Sequence, residues 1–326
     1  MLSDVTIVVP LKDRAYETEA FMRHSVIPDV KYLFLDGSSD GQNEVIVKQG
    51  MNANTDYHRL APDLSIDAYV DKMASGMKLV QTPYAMMADN DDVVLEGGLT
   101  AAVNVLNADS KSVFAGGDIV GFLRSGRNRN RVSWPKTNVN TSQLHGKEGL
   151  EAINQSRLDW RHLWYSVFRT DVLKWCWNEI QESRVRDPYL IEFLLCDLPF
   201  CKGHYAYTGV SQYMRLQNQT DRAIATLGFK SVELGRQPKS WWTESEVGDE
   251  VLSTHLGVDP LAFESQFHRA AAVAGKQGSS LRPLRLLKDV CVRVSDRATW
   301  LSLDSAIRFT SSGKYHIFPL RDLSGR

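Results

Sequence analysis

The residues most able to do chemistry are Asp89, Asp91 and Asp92, which with Asn90 end the apolar run in YAMMADNDDVVLEG (Tyr84 to Gly97). Three carboxylates in four residues repel one another unless a cation sits among them. Their oxygens are hard ligands suited to Mg2+ or Mn2+, ions commonly shared with phosphates. On a diphosphate, such an ion neutralises charge as the leaving group departs. A solvated turn ahead of a helix has the same composition, because Asp is favoured near helix N-termini. The cluster alone leaves both readings open. A calcium loop is excluded, because its fifth and sixth positions would be Val93 and Val94 instead of an oxygen ligand and Gly. An aspartyl phosphotransferase would want a second Asp two residues after Asp36, where Ser38 stands. No P-loop or GxGxxG follows the first apolar run, which argues against Walker-type and dinucleotide sites.

The elements that must carry these residues are legible. VTIVVPL (Val5 to Leu11) is a continuous β-branched run of the kind buried on both faces of a parallel sheet. A helix follows, then the strand VKYLFLDG ending at Asp36, a turn and helix from Ser38, and a short strand around Tyr57 to Leu60. Ile66, Tyr69, Val70, Met73, Met77 and Val80 have helical spacing. YAMMA is the fourth strand, and Gly97 to Leu106 the next helix. Ser112 to Phe122 reads as one strand, Leu158 to Ile180 as a helical stretch, Asp187 to Gly203 as an apolar helix and His204 to Leu216 as one strand. Strands alternating with helices predict an α/β fold, a mainly parallel sheet flanked by helices. In such sheets ligands collect at the carboxyl ends of the strands. Asp36 and the Asp89 to Asp92 cluster both fall there.

The bulk numbers agree. The chain has 326 residues, 43% hydrophobic and 24% charged, enough for a large core and one or two domains. Lys and Arg total 38 against 39 Asp and Glu, a net charge of -1, so nothing suggests a nucleic-acid partner. No apolar run approaches the ~20 residues of a membrane span. The opening MLSDVTIVVP has no secretory pattern. Cys176, Cys196, Cys201 and Cys291 form no CxxC pair and read as reduced core residues of a cytoplasmic protein, without a zinc site.

Five stretches in order resemble the family 2 glycosyltransferases, inverting nucleotide-sugar enzymes of the GT-A fold. They are TIVVPLKDR, YLFLDGSSDG, YVDKMASGMKLVQTPYAMMADNDDVV, YLIEFLLCDLPFCKG and YMRLQNQT, within residues 4 to 220. The resemblance implies a GT-A catalytic domain over 1–225 and leaves 226–326 as a mostly helical extension for acceptor binding, oligomerisation or membrane-surface contact. It implies that Pro10, Leu11 and Arg14 line the nucleotide pocket and that Asp36 meets the base. Asp89, next to Asn90, would face ribose or sugar and share the metal, Mn2+ or Mg2+, with Asp91 as its main ligand. Asp92 would stand behind them or cap the next helix. The general base would be Glu192, with Asp187 the runner-up and Asp197 third. An inverting transfer needs a base on the face opposite the departing diphosphate, and a carboxylate among Ile191, Phe193 and Leu194 is partly desolvated and so more basic. The alternative for Glu192 is the exposed face of an amphipathic helix. Departures from the family pattern are Gly37 where a second Asp is usual, Ser75 in place of Asn and Gln217 in place of His.

The implied partners are a nucleotide-diphosphate sugar donor and a saccharide or lipid-linked acceptor, as in surface polysaccharide synthesis. The rivals are a sugar-phosphate nucleotidyltransferase, whose Gly-rich turn VVPLKDR lacks, and an inactive binding module of the same fold. Trp160, Trp164, Trp175 and Trp177 suit core packing better than a sugar platform; Trp241-Trp242 could cover an acceptor. Arg124, Arg127, Arg129 and Arg131 make a basic loop, and Arg282 to Arg293 a basic amphipathic stretch that could lie on a membrane.

Overall fold

Val5–Leu11, enclosed on both faces except at Pro10, form β1 within a seven-stranded sheet. The computed structural model describes residues 1–123, 131–132, 136–139, 141–159, 163–216, 239–263, 301–311 and 316–317. The chain continues through α1 (Ala15–His24), β2 (Lys31–Asp36), α2 (Gln42–Gly50), β3 (Thr55–Arg59), α3 (Ile66–Met77) and β4 (Tyr84–Met87). Next come β5 (Val93–Val94), α4 (Glu96–Ala108), β6 (Ser112–Gly116), β7 (Ile119–Phe122), β8 (Arg131–Val132) and β9 (Lys136–Val139). Then follow α5 (Gly149–Asp159), β10 (Val167–Arg169), α6 (Thr170–Ser183), α7 (Pro188–Asp197), β11 (His204–Tyr207) and β12 (Tyr213–Leu216). The described C-terminal pieces are α8 (Lys239–Leu256), β13 (Leu301–Ser302), α9 (Leu303–Ser311) and β14 (His316–Ile317).

The large sheet runs β11-β6-β10-β4-β1-β2-β3. Every pairing is parallel except those of β10, which lies antiparallel between β4 and β6. This is the expected α/β class. Parallel strands with helices on their faces must be apolar on both sides, and β1, β2, β4 and β6 are buried almost throughout. A smaller sheet runs β14-β9-β7-β12-β5.

The chain crosses from the large sheet to the small one three times: between β4 and β5, β6 and β7, and β11 and β12. Two sequence expectations are corrected here. Ser112 to Phe122 is two strands in two sheets, and so is His204 to Leu216. Burial is continuous from Ser112 to Phe122, through the crossing between β6 and β7, so the pattern hides the break. Gly117 makes it possible, because a Cβ there would lie 1.7 Å from the Val210 carbonyl oxygen. The Leu158 to Ile180 stretch is corrected too. It holds the end of α5, a 3-10 turn at Leu163–Tyr165, β10 and most of α6. A three-residue strand is too short to show a period of two.

α6 packs on α3 and α7, and α8 packs on α6 and α7. Trp177, wholly buried, meets Trp164 and Tyr69 edge to face, so core packing is the role of Trp164 and Trp177. Trp241 is also buried, edge to face with Trp242. Cys176, Cys196 and Cys201 are free thiols. Among the described residues no helix is long and apolar enough to cross a membrane. Trp160, Gln217, Cys291, the side chains of the basic loop, the Arg282 to Arg293 stretch and the boundary near residue 225 lie outside the described residues.

Candidate functional site

The acidic cluster is the first crossing between sheets. Ala88 N–H donates to the Val8 carbonyl (3.0 Å), the last rung on β1. The chain then turns, with Asp92 N–H donating to the Asp89 carbonyl (3.3 Å), and enters β5 in the small sheet. β1, β2 and β4 are parallel, so their carboxyl ends share one edge. Leu11, Asp36 and the cluster lie along that edge, with Arg14 paired to Asp91.

One oxygen of each carboxylate has a partner of its own. Asp89 Oδ2 accepts from Tyr165 Oη at 2.6 Å. Asp91 Oδ2 pairs with the Arg14 guanidinium. Asp92, buried, accepts the Leu216 N–H at 2.7 Å. Asp92 therefore bolts β12 to the cluster and caps no helix, since the N-cap of α4 is Leu95. Each acid can offer a ligand oxygen such that all three lie within 4.8 Å of one another. Two half-open carboxylates and a buried third, all oxygen donors, fit a hard divalent ion.

Charge is poorly balanced at this point. Partial burial first, and Asp91 next, push the Asp89 carboxyl up to about 6; Tyr165, Arg215 and Arg14 pull the other way. Burial, then Asp91 and Asp89, raises Asp92 as well. Burial works against charge on Arg14, but Asp91 more than offsets it and the guanidinium is held more firmly protonated. Arg215 behaves alike, with Tyr165, Glu192, Asp92 and Asp89 outweighing burial. Its guanidinium stands 5.8 Å from the centre of the Tyr165 ring.

Glu192 of α7 reaches this region. It acts electrostatically on Tyr69, Tyr165 and Arg215, which Asp89 acts on too. The two carboxylates therefore act on the same three side chains. Asp187 is engaged otherwise: it is the N-cap of α7, and its Oδ1 accepts from the N–H groups of Tyr189 (2.9 Å) and Leu190 (3.2 Å). Burial raises its pKa, while those N–H groups oppose the rise. Asp197 is wholly buried against Arg157, away from the cluster's partners.

The nucleotide-side residues divide. Leu11 is buried, Pro10 half-buried, and Arg14 sits left-handed (φ 59°) just after left-handed Asp13 (φ 54°). That turn is fixed by Ser38 Oγ, which accepts from the Asp13 N–H (2.7 Å), and by Asp13 Oδ1, which accepts from the Ser39 N–H (3.1 Å). Asn90 points inward, donating to Thr18 Oγ1 (2.9 Å). Asp36 is 0% exposed, accepting from Ser38 N–H (2.8 Å) and Tyr57 Oη (2.5 Å), with Arg59 at 3.6 Å.

Sequence reasoning missed four residues here. Tyr165 and Tyr213 meet Asp89 only through long-range packing, and Gln212 holds the Tyr165 carbonyl. The fourth, Asp63, explains a departure: a Cβ on Gly37 would lie 2.3 Å from Asp63 Oδ1. Asp63 fills the space beside Asp36 and pairs with buried Lys72 at 2.5 Å. Burial raises the one and lowers the other, favouring the neutral form of each. No spacing rule links Asp63 to Gly37.

No protein-family profile matches the chain, and no curated relative matches it. Among solved structures it is similar to S. aureus TarS 1-349, at 14% identity over 98% of this chain and 94% of that one, with a TM-score of 0.47. The complex of that protein with UDP-GlcNAc overlaps at 13% identity and a TM-score of 0.48, and its UDP complex at 15% and 0.46, with the same coverage. Overlaps this loose carry no assignment of activity.

Proposed function

We propose that the chain is a metal-dependent glycosyltransferase that moves a sugar from a nucleoside-diphosphate donor to an acceptor hydroxyl with inversion. The observation that supports this reading is the cluster of Asp89, Asp91 and Asp92 at the carboxyl edge of the sheet, with Glu192 acting on the same Arg215 and Tyr165 that Asp89 acts on. The resemblance of the five motifs supports the same reading.

In it, Leu11 and Pro10 floor the nucleoside pocket. Asp36 is enclosed, so it shapes that pocket through Tyr57 and Arg59, which it holds. Asp91 and Asp89 would hold Mn2+ or Mg2+, which when bound supplies charge neutralisation on the departing diphosphate. Arg14 and Arg215 add fixed positive charge for the same phosphates. Glu192 accepts the proton of the acceptor hydroxyl as its oxygen attacks C1 from the face opposite the diphosphate. No residue becomes covalently attached to the sugar. The acceptor class is a saccharide or lipid-linked saccharide, as in surface polysaccharide synthesis.

The test is a donor screen by thermal shift and product analysis, with UDP- and GDP-sugars, with and without Mn2+. Stabilisation by a nucleoside diphosphate only with the ion, and release of that diphosphate on turnover, is the expected result. Release of pyrophosphate would identify a nucleotidyltransferase instead. No stabilisation by any nucleoside diphosphate under any metal condition would overturn the reading.

A further inference from the structure

Asp89 is oriented by two tyrosines from distant parts of the chain. Tyr165 Oη donates to its Oδ2 at 2.6 Å, and its backbone N–H donates to Tyr213 Oη at 2.9 Å. The two rings stack at 4.0 Å with 14° between their planes, and both are buried. The stack is itself anchored. Gln212, next to Tyr213, donates through Nε2 to the Tyr165 carbonyl (2.6 Å) and accepts from the Gly117 N–H (3.1 Å). Its backbone N–H donates to the Asp118 carbonyl (3.0 Å), and its carbonyl accepts from the Leu95 N–H (2.9 Å). Gln212 thus touches the segments that leave all three crossings between the sheets. Glycine at 98 leaves room for it, since a Cβ there would lie 2.3 Å from Gln212 Cα.

We infer that Tyr165 is a positioning residue for the ion-binding carboxylate: its hydroxyl holds Asp89 Oδ2 so that Oδ1 alone is presented beside Asp91. This rests on the metal-dependent reading above. Hydrogen-bond donors behind a ligating carboxylate fix its orientation, and their loss typically weakens metal binding by ~10–100-fold. A core tyrosine kept only for its ring would tolerate phenylalanine. This one spends its hydroxyl on Asp89 Oδ2 at 2.6 Å.

The experiment titrates Mn2+ alone into the full chain, followed by electron paramagnetic resonance. Tyr165→Phe keeps the stacked ring and is expected to retain the wild-type melting temperature while binding Mn2+ ~10–100-fold more weakly. Tyr213→Phe, which removes a hydroxyl that accepts the Asp89 backbone N–H rather than holding a carboxylate oxygen, is expected to change Mn2+ affinity less. A second measurement needs no variant: Mg2+ added to the wild-type protein should perturb the near-ultraviolet tyrosine spectrum with the midpoint of ion binding. Equal Mn2+ affinity in wild type and Tyr165→Phe, or ion binding with no tyrosine perturbation, overturns the inference and leaves the ion site standing. No Mn2+ binding by the wild-type protein overturns both.

Discussion

Among the described residues, two places that gather more carboxylates than cations are built to opposite ends. At the sheet edge, Asp89, Asp91 and Asp92 surround a point next to Arg14 and Arg215. Behind α7, Asp197 and Asp249 grip one guanidinium, with Arg157 Nε 2.7 Å from the first and Nη1 2.8 Å from the second. Asp89 and Asp197 both reach about 6. The causes differ. For Asp197 burial leads, Arg157 opposes it as the next largest influence and Asp249 adds only last; for Asp89 burial leads, Asp91 adds to it next, and Tyr165, Arg215 and Arg14 oppose after that. A shifted carboxyl is therefore no sign of function by itself. What separates the regions is that the inner acids converge on a cation the chain supplies from all sides. The outer acids converge on one another.

The largest expected effect tests the outer region. Glu192→Gln removes the proposed proton acceptor and keeps the side chain's shape, so turnover should fall ~10²–10⁴-fold with nucleotide binding and melting temperature unchanged. Full activity in that variant would remove Glu192 from the chemistry and leave an enzyme with another base. Arg157→Leu is the counterpart for the inner region. It strands two buried carboxylates and should cost about 3–5 kcal/mol in urea unfolding. Replacing Arg157, Asp197 and Asp249 together by apolar residues should cost far less, because no charge is left unpaired. If the triple variant is as damaged as the single one, the inner cluster does more than tie α5, α7 and α8 together.

The inner acid also gives the pH dependence a sign. Asp197 moves from its ordinary 3.8 up to about 6, so the folded state holds that proton more tightly than the unfolded chain. The stability it contributes is fully present below about pH 4, falls as pH rises from about 4 to about 6, and is gone above. Two pKa units correspond to about 3 kcal/mol at most. The difference between wild type and Asp197→Asn, measured by denaturant unfolding across that window, isolates the slope; parallel curves would refute it. A smaller effect belongs to Arg14. Arg14→Ala removes the cation that now partners Asp91. Mn2+ alone should then bind tighter, by about tenfold for ~1.4 kcal/mol of lost competition, while nucleoside diphosphate binds more weakly.

Much of this was legible in the sequence. β1, β2 and β4 declare themselves as apolar runs, and the parallel arrangement follows from their alternation with helices. Asp91 and Glu192 stand out because an acid ending an apolar run, or sitting within one, needs a reason. The rest was hidden by distance along the chain. Val93–Val94 is too short to be seen as a strand of a second sheet. Tyr165 and Tyr213 lie 76 and 124 residues from Asp89, and no periodicity relates them to it. Gly37 reads in sequence as a missing acid, and Asp63, 26 residues on, fills the space its side chain would take. Local pattern specifies elements; the three crossings between sheets, which are long-range packing, specify the site.

Asp187 gives the smallest effect and the sharpest division between the two kinds of acid. It lies five residues from Glu192 in sequence, and burial raises its pKa. Yet its Oδ1 is occupied by two backbone N–H groups at the start of α7, and its own N–H donates to Glu244 of α8 at 2.8 Å. A capping role depends on an oxygen at that position and not on its charge. Asp187→Asn should therefore be nearly silent, while Asp187→Ala should lose about 1 kcal/mol of stability. Neither should reduce turnover at a temperature where the variant stays folded. A base would behave in the reverse way, with Asn abolishing turnover and leaving stability intact. If Asp187→Asn is inactive and Glu192→Gln active, the start of α7 and not its middle faces the acceptor.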